Sequence, residues 1–247
     1  MLTAIRGLLL IICALPLLQA GSPPMITDDP GTPGDGHWEF NFGVSAEKRP
    51  GSQVSELPLI DLNYGIGDRL QLKYEVPYIR FSEDGTSSMS GFGNSAFGLK
   101  WRFFDAGENG LSMSVYPQLE FNNPGSSSDD KGLVEKGTVF VLPFQFEREV
   151  GGFTFISQIG REFHSDDDTY YYGCSVGHQV GEKVGLTVEL AGAADTGLHR
   201  SQLIANIGLV LDLSESTAVM LSVGRELHND EEPDATFIGY FGGQWRL

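Results

Sequence analysis

From Trp38 onward the chain alternates apolar and polar side chains with a period of two, and this regularity constrains the fold more than any motif does. Trp38, Phe40, Phe42, Val44 and Ala46 fall on one face of an extended segment, and Glu39, Asn41, Gly43, Ser45 and Glu47 fall on the other. Successive side chains of a strand point to opposite faces, whereas an amphipathic helix repeats every three to four residues, so the pattern predicts strands. It recurs in Leu70, Leu72, Tyr74, Val76 and Tyr78 against Gln71, Lys73 and Glu75. Phe97, Leu99, Trp101 and Phe103 oppose Gly98, Lys100 and Arg102, and Leu111 to Phe121 sets its apolar members against Ser112, Ser114, Tyr116, Gln118 and Glu120. Twelve such segments can be read, without a competing amphipathic helix.

The chemistry of the two faces decides what surrounds them. A soluble barrel or sandwich, the alternative, needs its apolar face packed inward and its charges outward. Here the apolar face carries rings near the segment ends, where headgroup-level girdles are expected, and the other face is small and polar with charges in mid-segment. Segments of about ten residues suit a tilted strand crossing a bilayer. Tight connections such as Gly67-Asp68 and Gly151-Gly152 alternate with longer polar ones such as residues 122–136 and 228–234. The expected fold is all-β: one closed antiparallel transmembrane barrel of about twelve strands, with both termini periplasmic.

Composition excludes other classes. Lys and Arg total 16 against 33 Asp and Glu, a formal charge of −17, so no nucleic-acid partner is expected. Sixteen Phe, 8 Tyr and 3 Trp are too many buriable rings for a disordered chain. At the N-terminus, Arg6 precedes the apolar run 7–18 and the small exit residue Ala20, which predicts a signal peptide over residues 1–20. The run is shorter than the ~20 residues of a membrane-spanning helix. Cys13 leaves with that peptide, so Cys174 has no intramolecular partner; a lipid-bearing Cys13 is the alternative. Residues 21–36 then form a periplasmic N-terminal segment, and residues 37–247 the barrel.

Several groups stand out as candidate sites. Thr27, Asp28, Asp29, Pro30 and Gly31 cannot belong to a regular strand, because proline and glycine impose turns. The segment is expected at the periplasmic mouth as a leader ordering the first strand; a small plug or a divalent-cation site on Asp28 and Asp29 are alternatives. The lumen row comprises Glu39, Glu47, Asp61, Lys73, Glu75, Lys100, Arg102, Glu120, Glu147, Glu162, Glu189, Glu226 and Arg246. Such a row either lines a selective path or closes the barrel with internal salt bridges. The acidic loops at residues 166–168 and 230–234 read as solvated, or as binding divalent ions that bridge lipopolysaccharide phosphates. His164-Ser165, His178, His199 and His228-Asn229 fall short of a hydrolase constellation, since adjacent side chains on a strand diverge. Neither cofactor nor metal is expected, because zinc, haem and nucleotide motifs are lacking. The ending Tyr240-x-Gly242-x-x-Trp245-x-Leu247 is similar to the C-terminal pattern read by the barrel assembly machinery.

The run Pro23-Pro24-Met25-Ile26-Thr27-Asp28-Asp29-Pro30-Gly31-Thr32-Pro33-Gly34-Asp35-Gly36-His37-Trp38-Glu39, followed by Leu57-Pro58-Leu59-Ile60-Asp61-Leu62-Asn63-Tyr64-Gly65 and Leu70-Gln71-Leu72-Lys73-Tyr74-Glu75-Val76-Pro77, carries a resemblance. It resembles the bacterial outer-membrane transporter family of the "MetA-pathway of phenol degradation" type. That resemblance implies uptake of aromatic or other hydrophobic small molecules. The expected function is thus a passive conduit in the bacterial outer membrane. Its partners would be outer-membrane lipid and lipopolysaccharide, the assembly machinery and a small-molecule solute. A closed structural or adhesive barrel and a lipid-modifying enzyme are the alternatives.

Overall fold

The computed structural model describes residues 23–107, 110–165 and 167–247. The signal-peptide expectation, with Cys13, lies outside the described residues, as does Asp166 of the first acidic loop. Fourteen strand segments follow one another: β1 (Trp38–Arg49), β2 (Ser52–Ile66), β3 (Leu70–Glu83), β4 (Met89–Phe92), β5 (Ser95–Asp105), β6 (Leu111–Val115), β7 (Gln118–Phe121), β8 (Thr138–Val150), β9 (Phe153–Phe163), β10 (Thr169–Val180), β11 (Val184–Asp195), β12 (Ser201–Ser214), β13 (Thr217–Asn229) and β14 (Phe237–Arg246).

Every pairing is antiparallel, and β14 returns to β1 in a register running from Glu39 opposite Arg246 to Lys48 opposite Phe237. The sheet is therefore closed. β4 and β5 lie end to end against β3, and β6 and β7 lie end to end between β5 and β8, so the fourteen segments build twelve barrel strands. The break between β6 and β7 falls at Tyr116-Pro117, where proline has no N–H to give. Bonds from Leu99 N–H to Pro117 O (3.0 Å) and from Tyr116 N–H to Pro143 O (3.0 Å) carry the ladder across it. The strand expected to start near Phe97 reaches back to Met89, because Gly93 N–H still donates to Pro77 O at 2.9 Å.

The oily rows face outward. Ile207 is 59% exposed and Phe241 55%, while Lys73 and Lys100 are each 3% exposed on the inner face. Closure matters here because lipid can satisfy no free sheet edge. Outer rings gather at both ends of the wall, and Tyr74, Phe144 and Phe241 lie at mid-strand between them. Trp38, Phe40 and Tyr64 cluster where β1 begins and β14 ends, the terminus end of the wall, with centroids 5.5 and 4.7 Å from Trp38. Tyr78 with Phe92, and Phe140 with Phe163, mark the opposite, long-loop end.

The interior is not polar throughout. Val141, Tyr171, Ala191, Ala193 and Ile204 form a buried apolar cluster, with Ile26, Val139 and Ile238 packed against it. Apart from Ile26, these positions lie in the loop-side halves of β8, β10, β11, β12 and β14. Tyr171 fits because its cross-strand neighbour is Gly160, where an added Cβ would meet the phenol ring.

Candidate functional site

The N-terminal segment runs through the lumen. Gly36 N–H donates to Gly65 O (3.0 Å) and Gly65 N–H to His37 O (2.9 Å), which fixes the segment to the terminus end of β2. From there residues 23–34 turn back inside the barrel. Four prolines, Pro23, Pro24, Pro30 and Pro33, keep this stretch out of the ladder, so its buried amides need side-chain acceptors. The wall supplies them. Asp28 N–H donates to Gln158 Oε1 on β9 (3.0 Å), and Thr27 and Ile26 N–H donate to the Glu189 carboxylate on β11 (2.5 and 3.2 Å).

The Asp28 carboxylate is the central anchor. Lys100 Nζ on β5 lies 3.0 Å from Oδ2 and 3.1 Å from Oδ1, and Gln145 Nε2 on β8 donates to Oδ2 at 2.8 Å. Lys100 also donates to Asp29 O at 2.7 Å. The segment is thus tied to β5, β8, β9 and β11, as a strap across the ring. Glycines let it approach the wall: a Cβ on Gly173 would lie 2.2 Å from Thr27 Oγ1, and one on Gly208 2.3 Å from Met25 Sδ.

This corrects the expectation for Thr27, Asp28, Asp29, Pro30 and Gly31. The expected leader or plug at the barrel mouth is a strap in the lumen, with Thr27 and Asp28 almost wholly buried. The physical reason is the complementary set of inward side chains on distant strands. Asp28 is engaged by Lys100, and among the described residues no group of three or more His, Cys, Asp and Glu is arranged to hold a metal.

Strap and wall form an open polar pocket of about 140 Å³, lined among others by Asp28, Asp29, Glu39, Asp61, Lys73, Lys100 and Tyr116. In its wall Lys73 Nζ pairs with Glu75 (2.8 Å) and Asp61 (3.8 Å), and Asn41 Nδ2 donates to Asp61 at 3.0 Å. Near the long-loop end Arg49 clamps Glu226 with two bonds of 2.6 and 2.8 Å and also meets Glu47 (2.7 Å) and Glu232 (3.2 Å). Ala235 N–H donates to Glu226 at 2.6 Å, which draws the β13–β14 loop onto the same clamp. His164 lies 3.2 Å from both Glu135 and Glu162. Those two carboxylates raise its pKa from 6.5 to about 10, Glu135 first.

The remaining candidates fall into place around this frame. Glu189 holds the strap; Glu120 and Glu147 carry no salt bridge among the described residues. Arg102 sits toward the terminus-end rim, donating to Asp68 O at 2.5 Å and lying 3.5 Å from Asp105. Arg246 is half-exposed and 3.7 Å from Asp212. In the terminal pattern Phe241, Trp245 and Leu247 are exposed, while Tyr240 leans inward over Gly43 and Gly242. The acidic loops are cross-tied: Asp168 to Arg161, Asp167 and Glu231 to Arg200, and Glu232 to Arg49. His178 bonds Gly152 O at the opposite end from His164, so the histidines do not converge.

Gln145, Gln158, Asn206, Tyr116 and Arg49 are functional groups that the charged row alone does not single out. The first four share its parity, which is the signal that could find them; Arg49 sits at a strand end, where parity says little.

Solved structures of similar fold include an outer membrane channel from Pseudomonas putida F1, at TM-score 0.74 and 13% identity, covering 89% of this chain and 98% of that one. The NanC porin matches at TM-score 0.61 and 5% identity, and the KdgM porin at 0.58 and 11%, each covering 83% of this chain and 98% of its own. No curated protein matches the chain. The model of the family described as "Putative MetA-pathway of phenol degradation" matches residues 21–246, and the chain belongs to that family.

Proposed function

We propose that this barrel is a passive channel of the bacterial outer membrane for small molecules, aromatic or otherwise hydrophobic ones among them. The observation that carries the reading is the strap: a lumen crossed at residues 26–29 by a segment that wall side chains hold, outside the strand ladder, is a path with a removable obstruction. The family description, with its phenol degradation, supports an aromatic solute, and the similar channel and porins support a conduit. The apolar cluster is buried, with Ile26 of the strap packed on it, so withdrawal of the strap would uncover an apolar surface for such a solute. The termini are assigned to the periplasm, and residues 1–20 to an export signal. Tyr240, Gly242, Trp245 and Leu247 are assigned to recognition by the assembly machinery; outer-membrane lipid and lipopolysaccharide surround the outer rings. No catalytic role is proposed.

The same strap favours a second reading, a barrel that stays shut and serves a structural or adhesive role. Conductance in planar bilayers separates the two. The full chain should conduct in brief openings, and deletion of residues 23–30 should lengthen them. Growth of a deletion strain on a scarce aromatic carbon source should slow. Silence from both proteins together with unchanged growth would refute the channel.

A further inference from the structure

The outer face of the wall carries charge of one sign. The chain has 33 Asp and Glu against 16 Lys and Arg, yet every Asp and Glu within the described strands has the inward parity. Lys48, Arg80, Arg161 and Arg225 share the outward parity near the long-loop end. On the lipid face of a barrel an acidic side chain costs no more than a basic one, so lipid alone does not explain a rim that admits cations and refuses acids. Arg161 is engaged by Asp168, and Arg225 Nε donates to Glu226 O at 3.2 Å. Lys48 and Arg80 have no salt bridge among the described residues.

Those two unpaired cations stand together. Lys48 on β1 faces Gln53 on β2, Gln53 faces Ser82 on β3, and Arg80 lies between Ser55 on β2 and Ser90 on β4. They are thus about 10 Å apart across the sheet, at ~4.8 Å per strand, with hydroxyl and amide side chains between them. Arg80 Nη2 lies 3.4 Å from Ser88 Oγ, and Lys131 Nζ of the 122–137 loop donates to Ser90 O at 3.0 Å, a third cation at the edge of the patch. Glu83 and Asp84 lie off it, Glu83 with the inward parity opposite Ser52 and Asp84 at the start of the loop. Toward mid-membrane the surface turns apolar at once. Leu57 is 62% exposed and Phe92 53%, and the Tyr78 ring meets Phe92 edge-on at 5.4 Å with its hydroxyl 3.2 Å from Ser90 Oγ.

We propose that this patch docks the phosphorylated sugar headgroup of an outer-leaflet lipopolysaccharide, with the acyl chains on Leu57, Tyr78 and Phe92. The inference rests on the outer-membrane reading with the long loops outside. Lys48 and Arg80 meet the phosphates, the arginine through a planar fork that fits phosphate oxygens in pairs. Gln53, Ser55, Ser82 and Ser90 offer donors and acceptors to sugar hydroxyls. A zwitterionic phospholipid suits the patch less, because its ammonium would meet two cations and no carboxylate.

The test is titration of the full chain, in micelles of an uncharged detergent, with lipid A, dephosphorylated lipid A and phosphatidylglycerol, read by native mass spectrometry. Lipid A should bind saturably and more tightly than either of the others. Lys48→Gln/Arg80→Gln should weaken it about twenty-five-fold, at roughly fivefold for each basic side chain at an anionic surface. Arg148→Gln, an outward cation at the terminus end of the wall, should leave it unchanged. Heat-modifiable migration confirms that each variant folds. Equal affinity for phosphatidylglycerol or for dephosphorylated lipid A, affinity that the double variant keeps, or an equal loss in Arg148→Gln overturns the inference and leaves the channel reading standing. Orientation is read separately: Ser87→Cys, in a Cys174→Ser background, should react with a membrane-impermeant maleimide in intact cells. Labelling only after lysis would overturn the orientation, and the lipopolysaccharide assignment with it, whatever the titration gives.

Discussion

Replacing Asp28 by alanine should open the lumen. The carboxylate anchors the strap through Lys100 and Gln145, and both Asp28 and Lys100 are nearly wholly buried. Removing one partner of a buried ion pair costs about 3–5 kcal/mol, because the other charge is left uncompensated. That penalty falls on the closed state, since a displaced strap exposes Lys100 to lumen water. With tenfold per 1.4 kcal/mol, even ~3 kcal/mol raises the open-to-closed ratio about a hundredfold. Adding Lys100→Met removes the orphaned charge, so the double variant should return to within about tenfold of wild type. Open probability in planar bilayers reads the ratio. Thiol labelling of Thr27→Cys, in a Cys174→Ser background, reads the strap. Faster labelling without more opening would show that the strap does not gate. Neither change in Asp28→Ala would refute the buried-pair reasoning itself.

Three further outcomes follow from the wall and the loops. Arg49→Ala leaves Glu226, Glu47 and Glu232 without their shared cation, and should lower unfolding stability by ~3 kcal/mol and expose residues 230–236 to protease. His164 binds its proton more tightly in the fold, with a pKa near 10 against 6.5. Its tie to the 122–137 loop is therefore fully present below about pH 6.5 and lost as pH rises through about 10; proteolysis of that loop should quicken there in wild type but not in His164→Gln. Leu190→Arg, at mid-strand on the outer face, should cost ~2–4 kcal/mol of stability in lipid, whereas Glu189→Gln next to it should free the strap with little change in barrel stability.

The wall was legible because a strand's period is fixed: once Trp38 faces out, Asn41 must face in, and a ring at every other position leaves little ambiguity. The strap was not legible. Nothing within residues 23–36 names its partners, because Lys100, Gln145, Gln158 and Glu189 stand 71 to 163 residues away and acquire meaning only after the barrel closes. The apolar cluster was hidden for a different reason. Ala191 and Ala193 are small enough for either face, and Val141 sits in an unbroken apolar run where period-two reading has no contrast to use. The site therefore came half from the sequence: its charges by parity, their pairing only from closure.

Wall and strap differ in what replaces their bonds when they break. A ladder bond between β1 and β14, if parted, would face hydrocarbon that offers no donor or acceptor, so nearly the whole bond is lost. The strap's bonds, from Ile26, Thr27 and Asp28 N–H to Glu189 and Gln158 and from Lys100 and Gln145 to Asp28, all face the lumen. Water entering with the strap's departure re-satisfies each, at a net loss of about 0.5–1.5 kcal/mol per neutral bond and 1.5–3 to a charged group. Ile26 gives up only its edge contact with the apolar cluster. Among the ways this barrel can open, withdrawal of the strap is thus the one that the surrounding solvent compensates. The prolines that bar the segment from the ladder are what leave its bonds to the wall facing the lumen.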